Sequence, residues 1–229
     1  MIGDNLDYYL SQGYFRMQQD IFTCQFVQFN DTVYAVQWLR IVLAKVSYGS
    51  SQRRLLRINS SFSVVVKPFV LTAELRNLYA QYRAAIDFDA PSSIEACLLD
   101  GTRRNIFDTQ VVEVRDGTRL IAAGIFDNAP RSIMGVMNFY HFDYRKQSLG
   151  KFLMLQKMNY ALLQKKLYYY PGYVVYEYPK FDYKLFPCLA ATEVLDSLSG
   201  TWLPFSWDTM TNLSTTLIDE YKIRQDPGF

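Results

Sequence analysis

Residues 109–176 hold the most regular pattern in the chain: three short apolar strands, a helix, then a fourth strand. TQVVEVR (109–115) is rich in β-branched residues and reads as a strand. Asp116-Gly117 marks a hairpin turn into the partner strand RLIAAGIF (119–126). NAPR turns the chain again into SIMGVMNFY (132–140). RKQSLG then leads into a helix over 149–166, with Leu149, Phe152, Leu153, Met158 and Leu162 along its apolar side. LYYYPGYVVY (167–176) is the fourth strand, and Pro171-Gly172 inside it reads as a bulge. A strand that follows a helix returns parallel to its neighbour by a crossover. The order therefore predicts an α/β (α+β) architecture, a mixed central sheet flanked by helices.

The layout resembles the acyltransferase fold shared by N-acetyltransferases, here called GNAT-like. Upstream, 33–46 and 62–71 read as further strands, with SYGSSQRR between them as a loop. Thr72 reads as a helix N-cap with Glu74 in the first turn. Leu75, Leu78, Tyr79, Tyr82 and Ile86 then follow at helical spacing, and a short helix, IEACLL, comes after DAPSS. Past the fourth strand the expectation is a loop, a short helix near 190–196 and a frayed tail ending IRQDPGF. The chain divides into a small N-terminal region, 1–67, and a main domain, 68–229.

Composition narrows the functions open to such a fold. No run of 18 apolar residues occurs, so no membrane span is expected, and the N-terminus lacks a signal-peptide core. Cys24, Cys97 and Cys188 lie far apart and form no CxxC, which argues against a disulfide framework or a zinc site and for a cytoplasmic setting. The single histidine, His141, excludes any site that needs two. The net charge is only +2, but its distribution is uneven. No acid lies between Asp31 and Glu74, or between Asp143 and Glu177, while both stretches carry lysines and arginines. A phosphate-rich partner accounts for this, and so do two solvated faces with counter-charges elsewhere in the fold.

Several residues could carry chemistry. Arg145, Lys146, Ser148, Leu149 and Gly150 stand at a helix start, where backbone N–H groups and the helix dipole favour an anion. The same residues also read as an ordinary helix start with Ser148 as N-cap. Tyr170, Gly172 and Tyr173 border the strand interruption, where tyrosines stack on a base, donate hydrogen bonds or simply pack. Lys180 and Lys184 are four apart, so one helical turn would put both on one face. Asp127 ends a strand, and its carboxylate could hold a substrate ammonium or cap the turn DNAP. Gly13, Arg16 and Cys24 stand among aromatics near the N-terminus.

Residues 119–184 resemble the C-terminal part of the arginyl-tRNA–protein and leucyl-tRNA–protein transferases. The matching elements are Ala123 to Asp127, Phe139-Tyr140, Asp143-Tyr144, Ser148 to Gly150, Tyr169 to Tyr173 and Pro179 to Lys184. Gly200-Thr201-Trp202 resembles the glycine-tryptophan that often follows. At the N-terminus, Leu6 to Leu10, Gly13 to Arg16 and Ile21 to Cys24 resemble the family's opening. Phe181 stands where the family usually has methionine. Only Cys24 remains of the family's several N-terminal cysteines, so no metal or iron–sulfur role is carried over.

The resemblance implies transfer of arginine or leucine from charged tRNA to the α-amine of an acceptor protein with an acidic N-terminus, marking it for N-degron degradation. The partners are then a charged tRNA and an acceptor protein or peptide, with aminoacyl-tRNA as co-substrate and no cofactor or metal. A cytoplasmic monomer is expected. By resemblance, Asp127, Tyr140 and Tyr170 form the catalytic set. Arg145, Lys146, Ser148, Leu149, Gly150, Gly172, Tyr173, Lys180, Tyr183 and Lys184 bind the donor. Two other readings share the fold: a CoA-dependent N-acyltransferase using acetyl-CoA, and a non-catalytic tRNA- or protein-binding homologue. The first expects a loop R/Q-x-x-G-x-G/A, of which Gly150 supplies one glycine and Phe152 breaks the other.

Overall fold

A computed structural model describes residues 5–99, 101 and 104–225. The chain opens with α1 (Leu6–Ser11), β1 (Phe15–Met17), β2 (Asp20–Phe22), β3 (Phe26–Phe29) and β4 (Thr32–Val42). Next come α2 (Ser50–Ile58), β5 (Ser63–Pro68), α3 (Ala73–Ala85) and α4 (Ile94–Leu98). The expected meander follows as β6 (Thr109–Asp116), β7 (Arg119–Asn128) and β8 (Ser132–Tyr140), then α5 (Leu149–Leu163) and β9 (Tyr168–Val175). The chain ends with β10 (Thr192–Asp196), β11 (Thr201–Pro204) and α6 (Trp207–Gln225).

Among the described residues one mixed sheet runs in the order β11-β10-β4-β9-β8-β7-β6-β5, with β3 pairing β4 at its side. Every pairing in it is antiparallel except β8 with β9, which is parallel, as a strand–helix–strand unit requires. This is the layout expected from the sequence: a mixed sheet with the meander, the helix and the parallel return strand at its centre. Strand β4 and all but the last residue of β5 lie in the first 67 residues, and both belong to the same sheet as the strands that follow.

Alternation along the strands divides the core between two faces. Val112, Val114, Ala122 and Phe126 pack with Phe152, Leu153 and Met158 of α5. Their neighbours Val111, Ala123 and Ile125 pack with Leu75, Leu78 and Tyr79 of α3. Thr72 caps α3 as expected, its hydroxyl accepting from the Leu75 amide at 3.2 Å. The N-terminal segment covers the sheet beside α3 through Leu6, Leu10 and Phe15, which pack on Val36, Trp38 and Tyr170.

Three expectations need correction. SYGSSQRR is not a loop throughout: α2 begins at Ser50 and is held by packing on α5. Residues 192–196 form strand β10 instead of a helix, because β4 offers them an open edge at Leu39, Arg40 and Ile41. The tail holds a 19-residue helix, α6, anchored on β4 by the hydrogen bond from Gln37 to Ser214 Oγ, 3.1 Å. Residues 226–229 of the expected frayed end lie outside the described residues. Among the described residues no helix is long and apolar enough to cross a membrane.

Candidate functional site

The site is built where β8 and β9 part. The two strands pair only over Ser132–Met134 and Tyr168–Tyr170. Beyond that, β8 pairs β7 alone and β9 pairs β4 alone. The bulge expected at Pro171-Gly172 drives the divergence. Leu39 opposes Gly172 and Ile41 opposes Tyr169, so Tyr170 and Pro171 together oppose Arg40. Gly172 has φ +103°, which L side chains rarely adopt.

Two cavities adjoin this opening and share Tyr183. The larger, about 920 Å³, lies at the start of α5 and is lined by Asn138, Tyr140, Arg145, Ser148, Gly150, Lys151 and Lys180, with Tyr82 and Phe88 across from them. The smaller, about 610 Å³, is lined by Met134 to Val136 of β8, Pro171 to Tyr173 of β9, Trp38, Arg16, Cys97 and Lys184.

The donor-binding residues expected from the sequence divide between these cavities. Ser148 is the residue before α5, in left-handed conformation at φ 49°, ψ 46°, and its hydroxyl makes no capping bond. It stays open to the larger cavity, so the plain N-cap reading does not hold. Gly150 and Lys151 follow it there, in the first turn, where helix N–H groups lack helical partners. Arg145 lines the same cavity with its guanidinium 5.0 Å from the Phe142 ring centre. Lys146 is exposed beside it, and Leu149 is buried in the core under α5. Tyr140 lines the cavity with its ring 5.3 Å from Tyr82, whose hydroxyl burial pushes up to about 12.

Lys180 and Lys184 do not share a face. Pro179–Leu185 is a 3-10 helix, and three residues per turn set positions four apart about 120° round. The Lys180 amine sits 4.6 Å over the Phe88 ring in the larger cavity. The Lys184 amine donates to the Tyr173 carbonyl at 2.7 Å, 4.7 Å from the Tyr173 ring and 4.5 Å from that of Phe181. No carboxylate faces it among the described residues, and burial pushes its ammonium down to about 7. Tyr173 turns its ring edge-on to Trp38, and burial raises its hydroxyl.

Two members of the expected catalytic set stand elsewhere. Tyr170 is buried under the N-terminal segment, edge-on to Phe15 and Trp202, and lines a different cavity with Asp7, Arg40 and Tyr168; its hydroxyl is pushed up to about 12, mainly by burial. Asp127 is fully buried, and its carboxylate faces Arg16 and Thr109 instead of an open cleft. Burial raises its carboxyl, with Arg16 opposing the shift. Arg16 spends its guanidinium on Asp127, Thr109, Asn105 and the carbonyls of Gln18 and Leu98, and stacks 4.3 Å over Phe107. Gly13 is buried after α1. Cys24 is half-buried with its thiol raised by burial, and its carbonyl accepts from Trp38 Nε1 at 3.1 Å. Among the described residues no group of three His, Cys, Asp or Glu is placed to hold a metal.

Lys157 is a residue that pattern reading passed over. It is fully buried in α5, donating to the carbonyls of Ile125 (2.7 Å) and Met137 (3.2 Å), and burial pushes it down to about 7. Gly124 makes the room: a Cβ there would stand 2.9 Å from Lys157 Cε and from Asn138 Oδ1. The signal was present as one charged residue, Lys157, beside Gln156 in the otherwise apolar run FLMLQKM.

Comparison with known proteins bears on the family. The family model described as "Arginine-tRNA-protein transferase, C terminus" matches residues 74–186. The aspartate/glutamate leucyltransferase of Vibrio cholerae serotype O1 (strain ATCC 39541) is 30% identical, over 68% of this chain and 70% of the relative. That of Shewanella sp. (strain MR-4) is 28% identical over 66% of this chain and 63% of the relative. Arginyl-tRNA--protein transferase 1 of Arabidopsis thaliana is 27% identical over 58% of this chain. The chain spans 24% of the Arabidopsis protein's length and 63% of the Shewanella protein's. The match and the fold together make this chain a member of the arginyl-tRNA–protein and aspartate/glutamate leucyltransferase family.

Proposed function

We propose that the chain transfers an arginyl or leucyl group from a charged tRNA to the α-amine of an acceptor protein. The observation that carries this reading is the parting of β8 and β9 between a cation-flanked helix start and a low-pKa lysine, in a chain of this family. One cavity suits a phosphate-bearing donor. The other suits the acceptor's N-terminus.

The reaction is aminolysis of an ester. The acceptor nitrogen bonds to the aminoacyl carbonyl carbon, the ester C–O bond breaks, and the terminal ribose oxygen leaves with a proton. The ester is already activated, so alignment of the two partners does most of the work. Arg145, Lys146 and the Ser148–Lys151 helix start receive the terminal phosphates of the tRNA. Tyr140 and Tyr173 flank the path of the aminoacyl-adenosine. The acceptor's α-ammonium, with an ordinary pKa of about 7.7–8.0, gives its proton to Lys184, which is partly neutral near pH 7. The names of the bacterial relatives favour acceptors that begin with Asp or Glu, and Lys180, in the larger cavity near the Tyr183 that both cavities share, offers their side chain a cation. No cofactor enters the scheme. Transfer of this kind marks an acceptor for degradation, and we place it in the cytoplasm, carried out by a monomer.

Arg145→Ala and Lys184→Ala test the assignment. Each is expected to slow transfer from charged tRNA by about 10²-fold or more. Unchanged transfer in both would contradict it.

A further inference from the structure

Folding brings together the two acid-free stretches of the sequence. Helix α2, from the first, packs against α5, from the second. Asn59, just past α2, donates through Nδ2 to the Gln147 carbonyl at 3.0 Å, immediately before the start of α5. Gln52 donates to the Phe186 carbonyl at 2.6 Å. Helix α2 is thus fixed beside the start of α5, next to Phe186, whose ring lies under the Lys151 amine of the larger cavity.

The cations of the first stretch are not alike. Arg40 and Lys45 pair with Glu193, and Lys67 pairs with Glu113. Arg53, Arg54 and Arg57 are exposed on the side of α2 away from buried Leu55, and no ion pair reaches them among the described residues. Among the described residues the Arg53 guanidinium donates to the Tyr48 carbonyl alone. The three lie within about 100° of the helix circumference, along a helix about 13 Å long. A chain of net charge +2 therefore carries an uncompensated cationic ridge beside the cavity that takes the donor.

We infer that α2 docks the phosphate backbone of the paired tRNA acceptor stem, outside the cavity that holds its single-stranded end. The inference rests on the transferase reading. A donor whose 3′ end enters at Ser148 brings its duplex close to the elements around the start of α5, and α2 is tied to that start through Asn59 and Gln147. Duplex RNA hides its base edges in a deep major groove, so arginines reading phosphates are the chemistry such a stem meets. Charge complementarity and continuity with the donor cavity select this occupant.

The test compares the full chain with its Arg53→Ala/Arg54→Ala/Arg57→Ala variant on two donors. One is the whole charged tRNA, and the other is an aminoacylated 3′ trinucleotide that lacks a stem. The expected result is tRNA binding weakened by 10-fold or more, with the slope of log affinity against log salt reduced by about 2–3. Transfer from the trinucleotide stays unchanged, and the triple Arg→Lys variant restores most of the tRNA affinity. Equal loss on both donors would overturn the docking while leaving the transferase reading intact. So would unchanged tRNA affinity, including the case in which the variant loses only binding to an acidic peptide such as polyglutamate. A wild type that binds tRNA but transfers from neither donor would instead count against the transferase reading, and α2 docking would still be supported by the salt slope.

Discussion

Arg16 Nη1 and Asp127 Oδ1 meet at 2.7 Å inside the protein, with side chains only 1% and 0% exposed. The pair joins the N-terminal segment to the end of β7, and so links two stretches that the family resemblance had picked out separately. Its place argues for architecture. Asp127→Leu leaves Arg16 buried without its counter-charge and should cost about 3–5 kcal/mol of stability. Adding Arg16→Met should recover much of that loss, since the penalty belongs to the unpaired charge. Urea denaturation of the two single variants and the double variant reads this directly, and strict additivity would contradict it.

Gly172 holds the bulge open at φ +103°. Gly172→Ala forces a side chain into that conformation and sets a Cβ 3.5 Å from Lys184 Cε. A stability loss of about 1–3 kcal/mol is expected. Transfer should fall further than stability explains, because relief of the strained φ shifts the adjoining Tyr173, whose carbonyl holds the Lys184 amine. Activity at a temperature where the variant is fully folded separates the two effects.

Lys157 predicts a pH dependence of folding. Its folded value is about 7, below the ordinary lysine value of 10.5. Between those limits the unfolded chain binds the proton and the folded chain does not. Stability from this group therefore rises with pH from about 7 to about 10.5, by up to ~1.4 kcal/mol per unit, and is flat below 7. Lys184, also about 7, adds the same trend. Lys157→Met should flatten the rise without abolishing it. Denaturation midpoints from pH 6 to pH 9.5 check this, and parallel curves for wild type and variant would refute it.

Lys184 predicts a second pH effect, on rate. Loss of its proton near pH 7 and of the acceptor's near 8 both favour attack, so transfer should climb from pH 6 to about pH 8 and then level off. Lys184→Arg keeps the charge but removes the base, and should lower the rate by about 10²-fold or more. An arginine variant as active as wild type would mean that charge alone matters there.

The sheet was legible where local chemistry and tertiary structure agree. Asp116-Gly117 made its turn, Thr72 capped its helix, and Pro171-Gly172 made its bulge. The reading failed where a partner decides the outcome. Ser50-Ser51 carries loop residues, yet α2 forms because Leu55 has α5 to pack on. Thr192–Asp196 is short enough for either structure, and the open edge of β4 selects a strand. At the site, the helix start and the YYYPGY interruption could be read from residue types. The depth of Asp127 and Tyr170 could not, because which side of a strand is covered depends on the N-terminal segment that folds over it. Lys157 escaped for a related reason: its partners are backbone carbonyls of β7 and β8, which no side-chain pattern announces.

The central claim is that charged tRNA is the donor and a protein N-terminus the acceptor. The most direct measurement mixes the full chain with tRNA charged with labelled arginine or labelled leucine, and with peptides beginning Asp, Glu or Ala. Label is expected in the Asp or Glu peptides from one of the two tRNAs, and little in the Ala peptide. Label in no peptide, together with acetyl transfer from acetyl-CoA to the same peptides, would contradict the account.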